Sequence, residues 1–247
     1  MSKDQILAKL LSYVGYKTPY TDARIGKHCY EAHEILKGYE WTDDKRLEIE
    51  KLINGYKDKA SNLIVINPRN PNIDTLIAEA KKVKRLTGEA PILFIDYIQL
   101  LQGNDKQDTQ TILKEASKKI KDYVIDYDTL AFTITAYNRD STKAHGKATL
   151  ESGRDTSDIE YSSDYIISVN FTEYEAGKSE ADIEELKKGD ATGKRKMTLK
   201  VLKNRLGTTG DKINYDYIPK YNTFEEKDYF TNNNNVQTQN YDTKNII

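Results

Sequence analysis

The sequence is poor in several things. It has one cysteine, Cys29, so no intrachain disulfide is possible, and a reducing compartment fits. No apolar run approaches the roughly 20 residues that a membrane span needs. The opening stretch MSKDQILAKLLSYVGYK has an apolar stripe at helical spacing, but Lys and Asp break it, so it lacks the continuous apolar core of a secretion signal. A soluble, cytoplasmic protein is expected. Net charge is also scarce: 38 basic and 39 acidic residues leave a formal −1, which neither supports nor excludes a nucleic-acid partner. Finally, the phosphate-cradling spacing GxxxxGK[ST] is missing. The Gly-Lys pairs 26–27, 146–147, 177–178 and 193–194 have no glycine five residues earlier. Only Lys178 is followed by Ser, and there Thr172 stands where the first glycine is needed.

Apolar residues make up 37% of the 247, enough for a core but below the usual globular share. Ile6, Leu7, Leu10, Leu11 and Val14 have helical spacing. One or two further helices are expected over 28–57, with a start at Thr42 and an end near Gly55. Leu63–Ile66 reads as a short strand closed by the turn signal NPRNPN. Ile73, Leu76, Ile77, Ala80 and Val83 predict a helix closing on Thr87-Gly88. A strand over Ile92–Asp96, a helix carrying Ile112 to Tyr123, and a strand over Leu130–Thr135 follow. Strands alternating with helices predict an α/β protein with a mostly parallel sheet. From Tyr165 onwards YIISV, KMTLKVLKN and INYDYI read as strands without crossover helices, so antiparallel strands are expected to extend the sheet. The Asn-rich tail from Thr231 has no periodicity, and disorder is expected there.

The chemistry begins with PILFIDYIQLLQG, residues 91–103. An apolar strand expected to be buried on both faces ends on Asp96. Open α/β sheets bind ligands at the carboxyl ends of their strands, and an acid there can hold Mg²⁺. Taken alone, the same pattern also fits an aspartate that caps a turn. The next strand delivers Asn138, Arg139 and Asp140 to the same edge. The polar loop after it carries Lys143, Lys147 and Arg154, suited to a phosphate backbone or simply solvated. GKRKMTLKVLKNRLGTTG has six cations and no acid. Period-two alternation puts Lys203 and Arg205 on one side, just before a glycine turn, where they suit a phosphate charge.

Taken in order, these pieces resemble the C-terminal motor domain of DnaB-type replicative helicases. MSKDQILAKLL resembles the segment after the family's second motif, and FIDYIQLL its Mg²⁺-binding strand. ITAYNRDS is similar to its third motif, and LESGRDTSDIEYSSDYIISV to its DNA-contacting loop and the strand beyond. LKNRLGTTG resembles the hairpin that reaches a neighbouring subunit's nucleotide. The resemblance implies a RecA-like fold and ATP with Mg²⁺ on Asp96, near Asn138 and Arg139. It implies Lys203 and Arg205 acting in trans. It places Lys143, Lys147, Glu151, Ser152, Gly153 and Arg154 on single-stranded DNA. The implied partners are a homo-hexamer or a mixed ring with a complete helicase, a primase and a helicase loader.

The chain departs from this pattern at Ala136, where the family usually has Gln, and at Leu150, where it has Arg. The phosphate loop, its lysine and the catalytic glutamate would lie before Met1, so the central strand of the sheet is expected to be absent. The expected organisation is an incomplete motor domain over 1–230 and a disordered tail over 231–247. Two functions compete: part of an ATP-dependent replicative helicase, or a non-hydrolysing DNA- or helicase-binding module that regulates a complete ring. On either reading the isolated chain is expected to lack ATPase activity.

Overall fold

The structure is a computed structural model that describes residues 2–17, 29–103, 107–136, 157–172, 188–189 and 193–226. Its helices start and stop where local chemistry dictates. Helix α1 spans Lys3–Lys17, α2 spans Ala32–Leu36, and a 3₁₀ turn covers Gly38–Glu40. Helix α3, Asp43–Ala60, starts as expected at Thr42, whose hydroxyl accepts from the Lys45 N–H. It runs through Gly55 to Ala60, because one exposed glycine costs a helix only about 1 kcal/mol. Helix α4, Ile73–Thr87, is capped by the Asn72 side chain, which accepts from the Thr75 N–H at 2.8 Å. It stops at Gly88, whose φ of 84° ends the helix in the left-handed region.

Strand β1, Leu93–Ile95, leads into a 3₁₀ turn at Ile98–Leu100. Helix α5, Thr109–Tyr127, is capped by Asp108 and buries Leu113, Ala116, Ile120 and Tyr123 along one stripe. Strand β2, Ala131–Thr133, pairs parallel to β1 in the register Leu93 to Ala131. Helix α6, Ser157–Ser162, then precedes β3, Tyr165–Phe171. Strands β4, Arg195–Asn204, β5, Lys212–Ile218, and β6, Thr223–Glu226, complete an antiparallel sheet in the order β3-β4-β5-β6. The fold is thus α/β, as expected, with the parallel pair and the antiparallel strands as two separate sheets.

Two clusters hold the elements together, one joining helices to strands and one joining helices to each other. Ile73, Ile98, Leu101, Leu113, Ala116, Ile120 and Ile159 form the larger core, with Ile95 and Ala131 packed on it, so α4, α5 and α6 cover one face of β1–β2. Ala8, Ile35 and Ile49 join α1, α2 and α3. The Tyr16 ring stacks on Tyr221 at 4.9 Å, and the Tyr16 hydroxyl donates to Glu225, which tie α1 to the β5–β6 end.

Three expectations are corrected. Leu63–Ile66 is not a strand. It lies across a groove from β1, and an apolar run becomes a strand only where an edge accepts its hydrogen bonds. The strand ending at Asp96 is not buried on both faces: Leu93 and Ile95 pack inward, while Phe94 is 74% exposed. Its outer face has no covering layer among the described residues. The antiparallel strands do not extend the parallel pair, because β2 and β3 are not hydrogen-bonded to each other. The tail 231–247 lies outside the described residues.

Candidate nucleotide and nucleic-acid site

Asp96 follows β1 directly, at the carboxyl end of the parallel pair. That end is fastened twice. The Ile98 N–H donates to the Ile134 carbonyl at 3.0 Å, and Gln99 Nε2 donates to Thr135 Oγ1 at 2.6 Å. The Asp96 side chain is exposed and has no hydrogen bond or ion pair to another described residue. It lines an apolar groove of about 230 Å³ together with Ile64, Pro68, Leu93, Tyr97 and Leu101. A carboxylate held by strand geometry rather than by a cation is available to an incoming positive charge.

Lys203 and Arg205 sit at the root of the β4–β5 hairpin. Arg205 lies just past β4, so the two do not share a strand face as alternation predicts. They nevertheless converge on the end of α6. Lys203 Nζ donates to the Glu160 carbonyl, and Arg205 Nη2 to the Tyr161 carbonyl at 3.3 Å. Arg205 also pairs with Asp164 at 2.9 Å, and its backbone N–H donates to the Asp164 carbonyl at 3.0 Å. Lys121 on α5 reaches the same carboxylate at 2.5 Å. The Lys121 hydrogen bond, then the charges of Lys121, Arg205 and Lys203, hold the Asp164 carboxyl below its ordinary value. Beyond this clasp the hairpin closes with Gly210 N–H on the Val201 carbonyl at 2.8 Å, and Leu206 at its tip is 88% exposed.

Sequence reasoning missed Asp164 and Lys121. The signal was faint: an acid before an apolar strand, and one lysine among several on a helix. The segment GKRK resolves into structure rather than a free basic patch, since Lys194 pairs with Glu225 at 2.9 Å. Of the other expected site residues, Asn138, Arg139, Lys143, Lys147, Glu151, Ser152, Gly153 and Arg154 lie outside the described residues.

The residues present fit ATP and Mg²⁺ only in part. Asp96 offers one carboxylate, and among the described residues no group of three metal-ligating side chains exists. The 247 residues contain no phosphate cradle. The described residues therefore do not by themselves complete a nucleotide site.

Parallel strands that end on an acid, helices packed against them and an antiparallel sheet beyond define a RecA-like helicase ATPase fold. Within that class, the chain belongs to the DnaB-like helicase C-terminal domain family, whose model matches residues 1–226. A solved DnaB-like replicative helicase, described with its interactions with primase, superposes with a TM-score of 0.68 at 17% identity, covering 91% of this chain and 48% of that one. A solved ATPase domain superposes with a TM-score of 0.70 at 16% identity, covering 92% of this chain and 72% of that one. The chain spans about half the length of the first of these relatives. A comparison with curated proteins finds no match. Among the described residues no helix is long and apolar enough to cross a membrane.

Proposed function

We propose that residues 1–226 are the larger part of an ATP-dependent replicative DNA helicase motor. It works in a ring around single-stranded DNA, either as a homo-hexamer or mixed with a complete helicase, and meets a primase and a helicase loader in the cytoplasm. Asp96 is the Mg²⁺ acid, with Asn138 and Arg139 beside the nucleotide. Lys203 and Arg205 serve the neighbouring subunit's site, where fixed cations stabilise charge that develops during phosphoryl transfer. Lys143, Lys147, Glu151, Ser152, Gly153 and Arg154 meet the DNA strand.

The observation that carries this reading is a pairing of features in a member of this family. An exposed carboxylate without a described partner ends β1, and a hairpin roots two cations on α6. The second reading is a non-hydrolysing DNA- or helicase-binding module that regulates a complete ring through the same hairpin cations.

The two readings share the DNA loop, so that loop is tested first. Binding that releases counterions makes log K fall against log salt by about 0.7 per phosphate contacted on a single strand. Changing Lys143, Lys147 and Arg154 together to Ala is expected to flatten this slope and leave the circular dichroism spectrum unchanged. An unaltered slope removes DNA contact from both readings.

A further inference from the structure

We propose that Asp164 is a positioning residue for the hairpin cations: its carboxylate keeps Arg205 turned into its own subunit, and a polyphosphate engages Arg205 only by displacing that carboxylate. The proposal rests on the reading above, in which Lys203 and Arg205 meet a phosphate.

The grip on Arg205 comes first. Both terminal nitrogens of its guanidinium are engaged within the chain. Nη1 lies 2.9 Å from Asp164 Oδ1, and Nη2 donates to the Tyr161 carbonyl at 3.3 Å. A guanidinium takes a phosphate best through two parallel N–H bonds from such a pair of donors. The end of Arg205 suited to that grip already holds a carboxylate, so a phosphate approaching it meets a like charge. The Arg205 backbone N–H also donates to the Asp164 carbonyl at 3.0 Å. Main chain and side chain thus bring the two residues together.

The carboxylate is itself held from behind. Lys121 on α5 reaches Asp164 Oδ2 at 2.5 Å, so each oxygen serves a different cation. Leu113, Ala116 and Ile120 of α5 share a core with Ile159 of α6. Asp164 is therefore anchored to the body of the molecule. Arg205 instead roots a hairpin whose next residue, Leu206, is 88% exposed. When the pair opens, the hairpin is the side that moves.

Magnitude separates a permanent staple from an exchangeable one. The Arg205 and Asp164 side chains are 49% and 42% exposed. Ion pairs this open to water contribute little, because water screens them and both side chains lose freedom. A carboxylate carries one charge, whereas a polyphosphate carries several and offers two oxygens to the guanidinium fork. The exchange favours the polyphosphate at close range and reverts to Asp164 when it leaves. Lys203 is held differently, since its Nζ donates to the Glu160 carbonyl, an uncharged acceptor.

The test titrates the full chain with tripolyphosphate, reading affinity by calorimetry and the Arg205 guanidinium by its nitrogen resonances. Asp164→Asn keeps the shape of the side chain and is expected to raise affinity roughly tenfold, the scale of one charge-assisted hydrogen bond set free. Asp164→Glu, which keeps the charge, is expected to leave affinity near its original value. Asp74→Asn changes net charge equally but frees Lys119 instead, and is expected to have little effect. Arg205→Gln in the Asp164→Asn chain is expected to remove the gain. The Asp164 carboxyl carbon resonance of the unsubstituted chain is followed through the same titration, so the outcome does not depend on how a variant folds. It is expected to move together with the Arg205 resonances. A carboxyl resonance that stays fixed while Arg205 shifts overturns the displacement and leaves the hairpin reading standing. So does an unchanged affinity in Asp164→Asn, or an equal gain from Asp74→Asn. Absence of binding in every variant, or binding that never involves Arg205, overturns the hairpin reading and the proposal with it.

Discussion

The two faces of the β1–β2 pair differ sharply in burial. Ile95 and Ala131 turn towards α4 and α5 and join a core in which Leu113 and Ala116 are essentially sealed from water. Phe94 and Phe132, one residue along in each strand, stack on each other in the open. Both faces are apolar in sequence. Burial is therefore a property of the neighbours a strand is given, and only one set of neighbours is present among the described residues.

Substitutions on the two faces sharpen this contrast. Leu113→Ala, behind the covered face, is expected to cost about 2–5 kcal/mol in urea unfolding, from lost transfer free energy and a cavity. Phe132→Ser, on the open face, is expected to shift stability by less than about 0.5 kcal/mol, as surface changes do. Equal losses at the two sites would mean that the outer face is already covered. Asn72→Ala falls between them, at about 1 kcal/mol, because it removes the cap of a helix that covers the inner face. A Thr at that position is expected to restore most of the loss.

The smallest effects are electrostatic, and they test how firmly the antiparallel sheet is fastened. Asp164 has a depressed folded-state pKa, so its clasp on Lys121 and Arg205 contributes stability above the ordinary aspartate range and loses it as pH falls below. Asp164→Asn is expected to remove that acid sensitivity, read as pH-dependent amide exchange at Arg205. At the far end, the hydrogen bond to Glu225 pushes the Tyr16 hydroxyl up to about 12. That contribution is complete below the ordinary phenol value near 10 and fades as pH rises towards 12. Tyr16→Phe is expected to abolish this alkaline loss in a thermal-melt series, and an unchanged profile would assign it to another group.

Most elements could be read in advance because their signals are local. Thr42 and Asn72 cap helices through their own side chains, Gly88 stops one through its backbone, and the stripes of α4 and α5 name their buried residues. The readings that failed depended on partners distant in sequence. Leu63–Ile66 has β-forming residues but no accepting edge, and Gly55 did not outweigh the helix around it. Asp96 stood out as a candidate because the acid and the apolar run that it ends lie within one short stretch. Asp164 was not visible, because its role needs Lys121, 43 residues away, and Arg205 on another element.

The sequence by itself determined the start of α3, the stripes of α4 and α5, the strand directions and the lack of a GxxxxGK[ST] spacing, since each depends on residues within a few positions of one another. Only the tertiary structure decided which face of β1–β2 is buried, that two sheets stand where one was expected, and that the hairpin cations are rooted on α6. Those outcomes rest on long-range packing and on backbone hydrogen bonds that a strand forms only when another strand lies beside it.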